Sequence, residues 1–247
     1  MYLTIQALVL RVTDYNDRDA LLTVLTRNHG RLTIKARGLR RKNSPLIAPC
    51  QLLAYSEFTL FEYRGMYTVN EGHSIELFQK LRSDLEKLSL ATYFAQVAEV
   101  LSQEDMPNPE LLSLVLNCLF ALSKMDIDHR QIKAAFELRC ACLVGYTPDT
   151  SGCCSCGSQT PDRFDISAGR LECSSCRQPD SGGIRMPVSP GVLDSMRYII
   201  RCEPRRLLAF SSAPETLESL SNLTESYLSS QLERGFSTLD FYKSLLI

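Results

Sequence analysis

Residues 31–38 read RLTIKARG, and this stretch decides the fold of the first part of the chain. Its apolar side chains stand at every second position, and the basic side chains of Arg31, Lys35 and Arg37 stand between them. A period of two is that of a β-strand with one face in a core and the other outside it. The stretch therefore predicts a strand whose basic face lies toward solvent or a ligand.

Four further β-rich segments surround this strand and are separated by turn residues. The predicted strands are residues 5–12, 20–26, 31–37, 52–61 and 66–69. Gly30 and Gly65 supply the positive φ that tight hairpin turns require. Five short strands without helical periodicity favour a small closed barrel such as an OB-fold, because closure removes exposed sheet edges. A small open sandwich is the alternative.

Beyond residue 74 apolar residues recur at spacings of three and four, which is typical of helices. Gly145 stands where a helix would end, and Ser189-Pro190 stands where another would begin. Helices are predicted over residues 81–101, 110–124, 130–144, 191–201, 214–232 and 237–246. The predicted class is α+β, with an OB-fold domain over residues 1–78 and a helical domain over residues 79–247.

An insertion over about residues 146–187 interrupts the helical domain, and we expect it to be irregular and to need a ligand to order it. It contains two Cys-x-x-Cys pairs, Cys153 with Cys156 and Cys173 with Cys176. Two residues between thiolates let one turn direct both sulfurs at a single ion, so the spacing predicts a zinc site. Cys154 is an alternative to Cys153 as ligand.

Four thiolate ligands leave no open coordination position, so this Zn²⁺ would be structural rather than catalytic. The remaining cysteines are scattered along the chain, and at least Cys118 and Cys140 fall in predicted helices, where cysteine behaves as a small buried hydrophobe. A set of reduced core cysteines is the simpler alternative for the pairs themselves, but small apolar residues would hardly fall into this spacing among Ser, Gly and Asp.

Six basic residues and no acidic residue occupy the segment from residue 31 to residue 42, here called the basic run. Its members are Arg31, Lys35, Arg37, Arg40, Arg41 and Lys42. Three lie on the strand and three in the loop after it, an arrangement that suits a groove following a phosphate backbone. An ordinary solvated patch is the plainer alternative. Aromatic residues are plentiful in the barrel, but most are expected in its core.

The composition narrows the class of protein. The 247 residues carry a net charge of −1, yet residues 1–78 hold ten Lys and Arg against seven Asp and Glu. No apolar stretch approaches the roughly 18 residues of a membrane span, and the opening residues lack signal-peptide features, so we expect a cytoplasmic protein with no membrane partner. In that reducing compartment ten cysteines indicate metal or catalysis rather than disulfides.

The sequence contains no phosphate loop of the Gly-x-x-x-x-Gly-Lys type, no His-Glu-x-x-His and no Gly-x-Ser-x-Gly. We therefore expect no catalytic residues and no enzymatic activity.

The order of these parts resembles the bacterial RecO family of DNA repair proteins. The resemblance is carried by the wording TIKARGLRR at residues 33–41, by residues 46–51, and by LVGYTPD at residues 143–149, which leads into the two cysteine pairs. It covers nearly the whole chain.

The resemblance implies a recombination mediator of the RecFOR type, located at the bacterial nucleoid. Such a protein binds single- and double-stranded DNA, anneals complementary strands, and works with RecR. It also engages single-strand binding protein and thereby assists RecA indirectly, without consuming a nucleotide.

Two other functions fit the same features. An RNA-processing enzyme could use an OB-fold and a zinc ribbon only to position its substrate, and turnover of labelled RNA would reveal it. An interaction scaffold could carry the basic run for solubility alone, and a DNA titration at physiological salt would separate it from a DNA-binding protein.

Overall fold

Five strands at the start of the chain form one sheet that closes on itself. In the computed structural model, which describes residues 1–176 and 182–246, the strands are Tyr2–Asp14 (β1), Ala20–Thr26 (β2), Arg31–Ala36 (β3), Tyr55–Tyr63 (β4) and Met66–Glu76 (β5). Their order in the closed barrel is β1-β2-β3-β5-β4, with β4 returning to β1. The β3–β5 pair is parallel and the others are antiparallel. This is the five-stranded barrel of an OB-fold, so the predicted fold class is confirmed and the open sandwich is not.

Side chains alternate between the inside and the outside of the barrel. Ile34, Phe58 and Leu60 are fully buried in its core. Arg64 and Gly65 connect β4 to β5 with φ of 51° and 76°, the left-handed pair that a two-residue hairpin turn needs. At Gly30 a Cβ atom would lie 2.5 Å from the carbonyl oxygen of Gln103, so only glycine fits this turn.

The helices follow the predicted periodicity closely. They are Gln79–Arg82 (α1), Leu85–Leu101 (α2), Pro109–Lys124 (α3), His129–Leu143 (α4), Pro190–Arg201 (α5), Pro214–Gln231 (α6) and Ser237–Ser244 (α7). The structure divides the helix predicted over residues 81–101 into α1 and α2. Ser189 caps α5 by accepting a hydrogen bond from the amide of Val192 at 3.3 Å, and Gly145 follows α4 with φ of 93°, as the caps predict.

The prediction of an irregular insertion is wrong, because residues 149–187 contain a four-stranded sheet. Its strands are Asp149–Cys153 (β6), Arg163–Asp165 (β7), Arg170–Glu172 (β8) and Arg185–Pro187 (β9), in the order β6-β8-β7-β9. Each strand is too short to show a clear alternation of apolar residues, which explains the error. We call it the cysteine sheet. Residues 177–181 of the predicted insertion lie outside the described residues.

Backbone contacts divide the chain into two compact units. The first comprises Met1–Asp126 and Phe236–Ile247, and the second comprises Ile127–Gly235. The barrel therefore shares its unit with α1, α2, α3 and α7, while the cysteine sheet shares the other with α4, α5 and α6. The boundary predicted after residue 78 remains a prediction about the domains.

The cysteine sheet is docked on the helices of its own unit. The Phe164 ring meets the Tyr227 ring edge-on, with centroids 5.3 Å apart. Arg197 of α5 donates to the carbonyl of Thr150 at 3.0 Å, and Gln231 of α6 donates to the carbonyl of Ile166 at 3.0 Å. The sheet and these helices thus form one packed body. None of the helices in the described ranges has both the length and the apolar character that a bilayer crossing requires.

Candidate metal centre and candidate nucleic-acid interface

The four predicted cysteine ligands come together at one end of the cysteine sheet. The sulfurs of Cys153, Cys156, Cys173 and Cys176 all lie within 4.8 Å of one another. The Cys156 and Cys173 sulfurs are 3.9 Å apart. A tetrahedral ion with metal–sulfur bonds of about 2.3 Å sets its ligands about 3.8 Å apart, so this donor set fits one metal ion.

Local turns hold each pair of thiols. The amide of Gly157 donates to the carbonyl of Cys153 at 2.9 Å and closes the first turn, where Gly157 has φ of 72°. The amide of Cys176 donates to the carbonyl of Cys173 at 3.0 Å and closes the second. Asp162 accepts from the amide of Ser174 at 2.7 Å and from its hydroxyl, which ties the second turn to the segment before β7. These bonds hold the two members of each pair on one turn.

Hydrogen bonds prepare one of the four sulfurs to carry negative charge. The backbone amides of Cys156 and Ser155 lower the pKa of Cys153 to about 6. The amide of Cys173 also donates to the Cys153 sulfur, at 3.3 Å. Burial raises the pKa of Cys173 to about 12, so charge accumulates first on Cys153. A thiolate is the form that binds metal, and the amides thus favour the ligating state.

The remaining cysteines lie apart from this cluster. Cys154 is exposed, and its sulfur is 3.8 Å from the Ser155 hydroxyl. Cys118 and Cys140 are fully buried, and burial raises the pKa of Cys118 above its ordinary value. Geometry therefore favours Cys153 over Cys154 as the ligand and assigns the helical cysteines to the core.

The basic run lies on the outer face of the barrel and in the loop after β3, but its members have different surroundings. Arg31 is half-buried and donates to the carbonyl of Glu99 at 2.9 Å. Lys35 pairs with Asp19 at 3.1 Å and lies over the Tyr15 ring, 4.4 Å from its centroid. Two of the six cations are therefore already engaged with the protein.

The other four cations are exposed. Arg40 pairs with Asp14 at 2.8 Å, but the two side chains are 45% and 69% exposed, so solvent screens the pair. No carboxylate of the described residues pairs with Arg37, Arg41 or Lys42. These three and Arg40 form the accessible positive surface at the end of β3.

Asp19 organises this surface from the loop before β2. It accepts from the amide of Gly38 at 2.9 Å and from Asn16 at 3.1 Å, and it pairs with Lys35. The Gly38 amide and these neighbours lower the pKa of Asp19 to about 2. The carboxylate thus fixes the point where the chain leaves β3 and enters the basic loop.

Sequence reasoning missed the acidic partners and selected no aromatic residue. Asp14 and Asp19 reach the basic run from other elements, and no local pattern reveals such pairing. Phe61 and Tyr63, in contrast, are two residues apart on β4 and both exposed, and the alternation of that strand could have identified them.

The fold and the site define a class: an OB-fold barrel with a basic outer face, joined in one chain to helices that carry a sheet whose four cysteines could hold a metal ion. Comparisons with known proteins are in agreement. The family description "Recombination protein O N terminal" matches residues 1–78, and "Recombination protein O C terminal" matches residues 82–240. The chain therefore belongs to the RecO family of DNA repair proteins.

Individual relatives support the same family over the full length. The chain is 35% identical to the DNA repair protein RecO of Acetivibrio thermocellus, in an alignment covering 99% of this chain and 97% of the relative. It is 31% identical to the DNA repair protein RecO of Alkaliphilus metalliredigens, covering 99% of this chain and all of the relative.

Proposed function

We propose that this protein is a recombination mediator that binds single- and double-stranded DNA through the basic run of its barrel. In this proposal it anneals complementary strands and acts with RecR and single-strand binding protein to assist the loading of RecA at the bacterial nucleoid. The observation that carries the proposal is the exposed group of Arg37, Arg40, Arg41 and Lys42, which no acidic residue interrupts along the chain. Membership of a family of DNA repair proteins supports DNA as the polyanion.

The binding would be electrostatic and independent of base sequence. Each cation that meets a phosphate releases a counterion, so affinity falls as salt rises. Arg37, Arg41 and Lys42 can make such contacts without first leaving a carboxylate, whereas Lys35 must leave Asp19. Arg31 and Lys35 would contribute mainly by fixing the strand from which the other cations project.

The four cysteines would hold one structural Zn²⁺. When bound, the ion would join the two cysteine turns and so stabilise the end of the cysteine sheet. Cys153, Cys156, Cys173 and Cys176 would use all four positions of a tetrahedral site, which leaves none for water or substrate. The sheet would then keep its place on α5 and α6 and support partner contacts from that unit.

Annealing two complementary strands requires no covalent chemistry, and we propose no catalytic residues. Positive charge that neutralises both strands lowers their repulsion, which is sufficient to speed pairing. Incubation with labelled RNA and labelled DNA should leave both intact, with and without added divalent metal. Metal-dependent cleavage would favour an RNA-processing enzyme instead.

Fluorescence anisotropy with labelled oligonucleotides tests the proposed DNA site. The variant with Arg37→Ala, Arg41→Ala and Lys42→Ala should bind both single strands and duplexes at least tenfold more weakly at about 50 mM salt, since it loses about three phosphate contacts. A matched control carries Arg201→Ala, Arg205→Ala and Arg206→Ala, which removes the same charge from exposed positions in the other unit. Equal losses of affinity in the two variants would show that DNA binding depends on the total charge of the protein and not on the basic run.

A further inference from the structure

A cleft on the outer face of the barrel lies beside the basic run. Its volume is about 470 Å³, and the residues that matter to its chemistry are Tyr2, Arg37, Phe61, Tyr63, Arg64 and Met66. Tyr2 lies on β1, Arg37 directly follows β3, and the others lie at the end of β4, in the β4–β5 turn and at the start of β5. Arg37 belongs both to this cleft and to the basic run.

Strand register explains why the cleft and the basic run share one face. Tyr2 of β1 is paired with Phe61 of β4, and Phe61 is paired with Thr68 of β5. Thr68 is in turn the parallel partner of Lys35 on β3. Directly paired residues point to the same side of a sheet, so this row crosses four strands from an aromatic end to a basic end.

The aromatic rings of the cleft are available to a ligand. Tyr2 is 64% exposed, Phe61 40% and Tyr63 60%, whereas Phe58 on the same strand is fully buried. The Tyr2 and Phe61 rings contact each other, with centroids 5.4 Å apart and planes inclined by 55°. Exposed rings gathered in one cleft, rather than scattered singly, are typical of a binding surface.

The charge of the cleft limits the kind of ligand. Its lining contains Arg37 and Arg64 and, among the described residues, no carboxylate. Arg64 lies over the Tyr63 ring at 5.2 Å, and its position in the turn places it at the rim. Aromatic faces flanked by arginines suit a chain that is both π-faced and anionic, which is a nucleic acid strand with its bases unpaired.

We propose that the aromatic cleft is a stacking site for unpaired bases. Tyr2, Phe61 and Tyr63 would stack on bases of a single strand, while Arg37 and Arg64 would contact the phosphates between them. In a duplex the bases already stack on one another, so the cleft adds affinity for single strands only. This inference rests on the proposed function and adds a second, strand-selective site to a face that otherwise binds any phosphate backbone.

A single tryptophan provides a direct test, because the natural chain contains none. Tyr63→Trp places the only indole in the cleft, and stacking on a base should quench its fluorescence when oligothymidylate is added. Phe120→Trp is the matched control, since Phe120 is 50% exposed on α3 of the same unit but lies outside the cleft. We expect saturable quenching in the first variant, none in the second, and none in either with an abasic oligonucleotide of equal charge.

Affinity measurements separate this site from the basic run. Tyr63→Ala should weaken binding of a single-stranded oligonucleotide about tenfold and binding of a duplex less than twofold. Equal effects on the two substrates, or unquenched indole in Tyr63→Trp while anisotropy shows bound single strand, would overturn the stacking site and leave the proposed function intact. A wild-type protein that binds neither substrate would overturn both.

Discussion

The cysteine sheet and the basic run are both built around small groups of charged or ionisable side chains, yet they are held in place differently. The four cysteines sit on two tight turns closed by their own backbone, and their sulfurs converge within 4.8 Å. The cations of the basic run spread over a strand and a loop. The carboxylates of Asp14 and Asp19 and the backbone carbonyl of Glu99, all from elsewhere in the first unit, contact three of them. One site is organised from within, and the other depends on distant parts of the barrel unit.

This difference suits the chemistry of the two ligands that we propose. A metal ion needs several donors at one point, so the loss of one donor removes the site. Short spacing between two cysteines in the sequence is enough to place both sulfurs at that point. A phosphate backbone needs positive potential along a line, which tolerates both pairing and displacement of individual cations. Replacing any one of the four cysteines should therefore abolish metal binding, whereas replacing single cations of the basic run should weaken DNA binding in steps.

The largest effect is expected from the cysteines. Cys173→Ser removes one of four ligands, and zinc content should fall from about one ion per chain to near zero. Because binding energy is also folding energy, thermal unfolding of this unit should move down by about 10 °C or more. Elemental analysis and calorimetry on the same sample measure both.

Cys154→Ser is the control for that change, since Cys154 is exposed and outside the cluster. It should retain the metal and the unfolding temperature. Loss of zinc in Cys154→Ser but not in Cys173→Ser would place the centre on a different set of sulfurs.

A second disruption of the cysteine sheet does not touch the metal. Arg185 is nearly buried and pairs with Asp165 at 3.0 Å and with Glu172 at 3.1 Å. Arg185→Ala leaves two buried carboxylates without their cation, which should cost about 3–5 kcal/mol of the free energy of unfolding. Denaturant unfolding measures this cost, and zinc content should stay at one ion per chain if the metal and the ion pairs act independently.

Graded behaviour along the basic run is tested by single substitutions. Arg41→Ala removes a cation without a carboxylate partner and should weaken duplex binding about fivefold at low salt, whereas Lys35→Ala, whose lysine is paired with Asp19, should weaken it about twofold. Anisotropy titrations at matched salt compare the two. A stronger effect at Lys35 than at Arg41 would show that the pair with Asp19 opens when DNA binds.

The smallest effect is expected at Asp19. Asp19→Asn keeps an oxygen for the Gly38 amide but releases Lys35 and removes one negative charge, so DNA binding should tighten by less than about twofold at low salt and still less at high salt. Weaker binding would mean that the carboxylate positions the loop more than it competes with phosphate.

The same residue gives a dependence on pH. The pKa of Asp19 is about 2 in the folded protein, below the ordinary value of 3.8. The charged form is thus favoured by folding, and its contribution to stability is complete above about pH 4 and lost as the pH falls toward 2. Asp19→Asn should lack this part of the acid destabilisation, as chemical denaturation across that range can measure.

The parts that could be predicted from the sequence are those with short-range signals. The alternation of side chains around Ile34 predicted β3 and its outer basic face. The positions of the glycines predicted the hairpin turns, and Ser189 and Gly145 predicted a helix start and a helix end. The two Cys-x-x-Cys pairs predicted the cluster of four sulfurs because each pair is itself one turn.

What could not be predicted depends on contacts between distant segments. The strands of the cysteine sheet have three to five residues each and carry no resolvable period. The pairing of Lys35 with Asp19 and of Arg40 with Asp14 depends on how the β1–β2 loop meets the end of β3. The shared row from Tyr2 to Lys35 depends on register across four strands, which no single segment encodes.

The salt dependence of duplex binding tests the central claim most directly. The logarithm of the binding constant should fall linearly with the logarithm of salt concentration, and the slope should flatten by about 2 to 3 in the variant lacking Arg37, Arg41 and Lys42, since each lost phosphate contact accounts for about 0.9. The Arg201, Arg205 and Arg206 control should keep the wild-type slope. An unchanged slope in the first variant would contradict the assignment of the phosphate site to the basic end of β3.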